Sequence, residues 1–410
     1  MWKGEGFLGN SEEGIGKKYP GGAWVSPRLG GAEAPPFRKG GFGALPRFPP
    51  GNVTGHWRGS NDLQKIPVRI ATGGTPACAL SAATRRAARI LVFPFFGFCG
   101  RIATEEVPYP LKEAFMKECV FRGIATAMVT PMTGTGVDYE ALGRFIEFQI
   151  DSGVNALVAV GTTGESATLS PRERKEVIRF TVDKVAGRVP VIAGTGTNNT
   201  QHVIEFTHSA CADGADAVLV VTPYYNKATQ NGLYTHYSLI ADASEKPVIL
   251  YNVPSRTGCN LLPDTVARLS EHPNIAAIKE ASGNMAQVVE LIARCGDKIT
   301  VYSGEDGITV PMMAMGGQGC ISVASNVAPR LMVEMTRRFF DGDVAGAAKL
   351  QCQLLPLMNA LFSEVNPIPA KAAVSALGFG EDRVRLPLTP MEPAHREVLY
   401  ARMKELGVLA

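Results

Sequence analysis

Lys279 ends a short apolar run, Ile275-Ala-Ala-Ile278, within NIAAIKEASG (274–283). That run reads as a buried strand, where an ammonium is costly unless it is paired or neutral. A neutral amine attacks carbonyls and forms a Schiff base. Taken alone, a lysine at a strand end is an ordinary surface residue. Here other reactive clusters accompany it. GTTGES (161–166) offers two hydroxyls and a set of backbone N–H groups that can converge on a carboxylate. YNVPSRTG (251–258) carries Tyr251, able to relay a proton to or from an imine, and Arg256, able to grip a carboxylate with both arms. VTPYYN (221–226) adds Tyr224 and Tyr225, and SGE (303–305) closes a further apolar run. Each cluster alone reads as a turn, a packed aromatic or a surface cation. Together they supply a nucleophile, proton relays and carboxylate grips.

Something must bring them to one place. Short β-branched runs at 123–130, 156–160, 189–194, 217–222, 247–252, 275–279, 299–303 and 319–323 read as strands. Amphipathic segments lie between them, among them 138–152, 171–186, 200–212 and 284–295. Asp138 is placed as an N-cap, and Ser170-Pro171 with Glu173 has the form of a capping box. Eight apolar strands alternating with helices predict an α/β fold, a parallel (β/α)8 TIM barrel. An open doubly wound sheet would want G-x-G-x-x-G after the first strand, and residues 130–137 do not supply it. In the barrel, active sites form at the carboxyl ends of strands, where the clusters above fall. Further helices at 329–340, 344–362 and 368–377 exceed the barrel's needs. They predict a helical subdomain over 341–410, following a barrel over 116–340, for packing or oligomer contacts.

Residues 1–115 are a different kind of sequence. They hold 15 Lys and Arg against 8 Asp and Glu, with 19 Gly and 12 Pro, while 116–410 balances 26 against 30. They show no sustained period and no motif. A disordered basic tail and an organelle-targeting peptide are two readings, the second opposed by only four serines and by the acidic residues. The third, which we favour, is a start assigned too early, with Met116 opening the periodic sequence. The eight cysteines are scattered, with no Cys-x-x-Cys pair and no Cys/His metal spacing, as expected for reduced cytoplasmic thiols. No apolar run is long enough for a transmembrane helix. The acidic balance of the folded part gives no basic stripe for nucleic acid.

From about Phe121 to the C-terminus, GTTGES, VTPYYN, YNVPSRTG and IKEASG, with NPIPAKAA (366–373) and RLPLTP (385–390), resemble the 4-hydroxy-tetrahydrodipicolinate synthase (dihydrodipicolinate synthase) family. The resemblance implies condensation of pyruvate with L-aspartate 4-semialdehyde, a small-molecule reaction of lysine and diaminopimelate synthesis. It implies no metal and no organic cofactor, because the imine itself is the electron sink. It implies a cytoplasmic homotetramer, a dimer of dimers. Carried over residue by residue, Lys279 resembles the Schiff-base lysine and Tyr251 the general acid/base. Thr162 resembles the hydroxyl linking Tyr251 to Tyr225, the latter contributed by a neighbouring subunit. Thr163 and Ile321 resemble the residues that hold pyruvate, Arg256 the arginine on the semialdehyde carboxylate, and Gly304 a glycine of the same pocket. Many members are inhibited by lysine at a subunit interface. Asn198 and Tyr224 match that site, but His202 stands where an acidic residue is usual, and Pro171 and Arg174 stand where histidines are frequent. Weak or lost feedback is therefore expected. Two rivals remain. Another Schiff-base aldolase, such as N-acetylneuraminate lyase or 2-keto-3-deoxygluconate aldolase, would share Lys279 and Tyr251 but generally lack Arg256 in its setting. A non-catalytic barrel with a nucleic-acid-binding tail would not need the intact reactive set.

Overall fold

The computed structural model describes Lys117 and residues 119–410, so the expected extension over 1–115 lies outside the described residues. Eight strands, β1 (Gly123–Ala127), β2 (Ala156–Ala159), β3 (Val191–Gly194), β4 (Ala217–Val221), β5 (Val248–Asn252), β6 (Ile275–Glu280), β7 (Thr300–Ser303) and β8 (Gly319–Ser322), pair in sequence order and close on themselves. Every pairing is parallel, including β1 with β8. Every strand residue is buried except Val221, which is half-buried. Burial on both faces is why these strands are apolar runs and not alternations.

Closure needs two glycines. Gly319 faces Gly123 across the β1–β8 seam, and a Cβ on Gly319 would lie 1.9 Å from the Gly123 carbonyl oxygen. Inside the barrel sit Ala125, Val158, Ile192, Leu219, Ile249, Ala277, Tyr302 and Ile321. The Tyr302 ring stacks on Phe121 at 4.1 Å and its hydroxyl donates to the Phe121 carbonyl at 2.7 Å, which seals the amino-terminal end.

Around the strands run α1 (Tyr139–Asp151), α2 (Pro171–Val185), α3 (Thr200–Ala212), α4 (Gln230–Ala243), α5 (Pro254–Thr257), α6 (Pro263–Leu269), α7 (Met285–Cys295) and α8 (Thr309–Ala314). Then come α9 (Pro329–Phe340), α10 (Val344–Ala360), α11 (Ile368–Ala376) and α12 (Pro393–Glu405). The caps form as the sequence predicts. Asp138 accepts from Ala141 N, and Ser170 and Glu173 make a reciprocal capping box.

Three differences from expectation matter. The first strand ends at Ala127, not residue 130, because Asn326 takes over the next backbone groups: it accepts from Val129 N and donates to Ala127 O. Helix α12 was not expected; it buries only Leu399 and Met403, too narrow an apolar stripe to announce itself. The C-terminal helices also do more than pack. Gln351 of α10 donates to Asp306 O at 3.0 Å, and residues at the end of α10 form a wall above the carboxyl ends of the strands.

Candidate active site

A cavity of about 950 Å³ opens at the carboxyl ends of the strands, within the range of small-molecule sites. Its floor and walls include Gly161, Thr162 and Thr163 after β2, Tyr251 on β5, Arg256 on α5, Lys279 on β6 and Gly304 after β7. Lys279 and Tyr251 are partners in the β5–β6 register, so both side chains leave the sheet on the same side at the same height. Lys279 is 5% exposed, and its Nζ lies 4.4 Å from the centre of the Tyr251 ring. No carboxylate pairs with Lys279 among the described residues. The adjacent Glu280 takes the opposite face, where it accepts from Asn252 Nδ2 at 3.0 Å and Ser282 N at 2.7 Å. Burial pushes the Glu280 carboxyl above its usual range, against those hydrogen bonds.

Gly304 has a steric reason to be glycine. A Cβ there would lie 2.6 Å from Ala281 Cβ and 3.0 Å from both Cγ and Cε of Lys279. It leaves room for the lysine stem. The 161–166 turn is tight, with Gly164 N donating to Gly161 O at 3.1 Å and Glu165 N to Thr162 O at 3.1 Å. Those N–H groups are spent inside the turn, so an anion is left with the hydroxyls and the earlier amides, fewer groups than the sequence suggested. Thr163 is 3% exposed and Thr162 half-buried, both on the cavity wall. Arg256 is exposed at the mouth and has no acidic partner among the described residues, so its guanidinium is free for a ligand.

Not every expected residue gathers here. Ile321 is fully buried in the barrel interior and is not on the cavity wall; Val323, two residues on, is. Tyr225 is 92% exposed with φ +70°, and does not line the cavity. Within one chain it does not meet Thr162 at the site. Asn198, His202 and Tyr224 lie outside the cavity wall, with the Asn198 carbonyl accepting from Asn226 Nδ2 at 3.1 Å. Near Tyr224 of that group lies the buried Arg174, its guanidinium 4.1 Å above the Phe206 ring and donating to Gly194 O at 3.1 Å. Burial holds it down to about 10, with Tyr224 acting in the opposite direction. The sequence missed the far wall: Leu355, Met358, Phe362, Val365 and Asn366, and also Asp306. Of these only Asn366, the first residue of NPIPAKAA, lay in a segment quoted for the resemblance.

Residues 120–406 match the model of the Dihydrodipicolinate synthetase family. The chain belongs to that family. The 4-hydroxy-tetrahydrodipicolinate synthase of Trichlorobacter lovleyi is 52% identical over 290 residues, which cover 71% of this chain and 100% of that protein. Among solved structures, the chloride-inhibited dihydrodipicolinate synthase of Acinetobacter baumannii complexed with pyruvate is 46% identical, with TM-score 0.69 over 70% of this chain and 99% of that one. The enzyme of Cyanidioschyzon merolae with lysine bound is 40% identical, with TM-score 0.69 over 71% and 100%. The dihydrodipicolinate synthetase family thus accounts for the barrel and the C-terminal helices together.

Proposed function

We propose that this chain condenses pyruvate with L-aspartate 4-semialdehyde through an imine on Lys279, giving 4-hydroxy-tetrahydrodipicolinate for lysine and diaminopimelate synthesis. The observation that carries it is the Lys279–Tyr251 pair: a buried amine without a carboxylate partner, 4.4 Å from the ring of a tyrosine in register with it, facing a cavity.

Lys279 Nζ attacks the keto carbon of pyruvate and water leaves, with Tyr251 carrying protons. Thr163 donates to the pyruvate carboxylate. With the protonated imine as electron sink, the Tyr251 relay takes a methyl proton, and the resulting enamine carbon attacks the aldehyde, whose oxygen is protonated from the same relay. The semialdehyde's own amine then displaces Lys279 and closes the ring. Arg256, at the mouth, holds the semialdehyde carboxylate. Thr162 hands the proton from Tyr251 to Tyr225 of a second copy, whose exposed tyrosine supplies what one chain lacks. In the same proposal the enzyme is a cytoplasmic homotetramer, and no described helix is long and apolar enough to cross a membrane.

A coupled assay separates this from the other Schiff-base aldolases. Turnover of pyruvate with aspartate semialdehyde is expected, and cleavage of N-acetylneuraminate or 2-keto-3-deoxygluconate is not. The reverse outcome would transfer the chain to those reactions.

A further inference from the structure

The chemistry above leaves one set of buried contacts unused, those by which the C-terminal segment grips the 161–166 turn. Asn366, between α10 and α11, is 5% exposed and stands on the cavity wall. Its Nδ2 donates to Thr163 Oγ1 at 2.9 Å, across 203 residues of sequence. Its Oδ1 is buried with no partner among the described residues, so Thr163 alone fixes the amide. Two residues beyond Thr163, Glu165 adopts a left-handed φ of +57° and is held from the same side. Its carboxylate pairs with Lys371 of α11 at 2.6 Å, both side chains 1% exposed, and accepts from Arg385 N at 3.0 Å. Lys371 also donates to Arg383 O at 2.5 Å. A buried ion pair is a poor source of stability and a good way to fix one geometry. The turn is thus clamped on both sides of Gly164.

The direction of the Asn366 bond has a chemical consequence. A hydroxyl owns one proton and two lone pairs, and an amide nitrogen only donates. Receiving that bond, Thr163 Oγ1 keeps its own proton for another acceptor. We propose that Asn366 is a positioning residue: its hydrogen bond commits the Thr163 proton to the cavity, where the pyruvate carboxylate accepts it. This rests on Thr163 binding that carboxylate.

The test is steady-state kinetics of the full chain with both substrates, in wild type, N366A, N366D, T163V and the N366A/T163V and N366D/T163V doubles. Loss of one such hydrogen bond predicts that kcat/KM for pyruvate falls about tenfold in N366A. It falls further in N366D, whose carboxylate takes the Thr163 proton for itself. Meanwhile kcat/KM for the semialdehyde stays within about twofold, since the enamine forms after pyruvate is bound. In the T163V background, N366A adds no more than about twofold, because there is no hydroxyl left to orient. Equal losses for both substrates, or full loss from N366A on top of T163V, would overturn the proposal. Should N366A not fold, the neutral N366S and its N366S/T163V double carry the same comparison. If T163V leaves the pyruvate constant unchanged, the carboxylate role of Thr163 fails and the proposal falls with it. A pyruvate-selective T163V loss with additive N366A would overturn the positioning role alone.

Discussion

At the scale of single residues, space and charge decide the site. Lys279 occupies volume that any side chain at residue 304 would claim. Gly304→Ala is expected to push the lysine stem off its line to the keto carbon, and a displacement of that order costs about a hundredfold in kcat/KM for pyruvate. Rapid-quench measurement of adduct formation checks it; an unchanged rate would mean that the stem has slack. Arg256 makes the opposite kind of contribution in the proposed reaction, since it touches nothing acidic among the described residues and faces the cavity mouth. Arg256→Ala removes a charge-assisted pair worth about 2 to 3 kcal/mol, a loss of roughly 30- to 150-fold in kcat/KM for the semialdehyde. The pyruvate half-reaction, followed by borohydride trapping, should keep its rate.

At the scale of elements, what could be read from sequence was local. Ser170 and Glu173 sit three apart, so their capping box was visible in the letters. That Glu173 also pairs with Arg385, which holds its carboxyl down to about 2, was not, because the two are 212 positions apart. The same holds for Asn366 and Thr163. Strand cores were legible because burial on both faces demands apolar runs; strand ends were not, because a side chain such as Asn326 arrives from elsewhere to stop β1. Lys279 and Tyr251 were legible as strand-end residues, while the wall built by α10 required the folded chain. Packing of α3 on α4 gives a pH prediction. His236 of α4 is 5% exposed with Nδ1 2.9 Å from Thr200 Oγ1, and burial holds its imidazolium down to about 4 from 6.5. Between those values the unfolded chain binds a proton that the folded chain refuses, so stability falls as pH drops through that window. The full effect is at most ~3 kcal/mol. Denaturant titrations at pH 7 and pH 4.5 should show a loss that His236→Gln reduces; an equal loss in the variant would assign the slope to other groups.

At the scale of the molecule, the proton relay proposed above needs a second copy of the chain. Tyr225 points to solvent, while the partners proposed for it, Thr162 and Tyr251, line the cavity. Lys279→Ala and Tyr225→Phe are each expected to be nearly inactive. Co-expressed, they should recover activity, because a mixed dimer has one site with both groups, about a quarter of all sites under random pairing. No recovery would return Tyr225 to a surface role. Regulation belongs to this scale as well. Of the group Asn198, His202 and Tyr224, the last lies near the buried guanidinium of Arg174. A ligand ammonium would meet a cation there with no acidic residue at 202, so lysine is expected to inhibit only above about 1 mM, weaker than roughly −4 kcal/mol of binding. Inhibition at micromolar lysine would show that another acceptor serves.

The most direct test of the account is to incubate the protein with pyruvate, reduce with borohydride, digest, and locate the adduct by mass spectrometry. A reduced pyruvate adduct on Lys279, lost in Lys279→Ala, is the expected result. No adduct, or an adduct on another lysine, would contradict the chemistry described for this cavity.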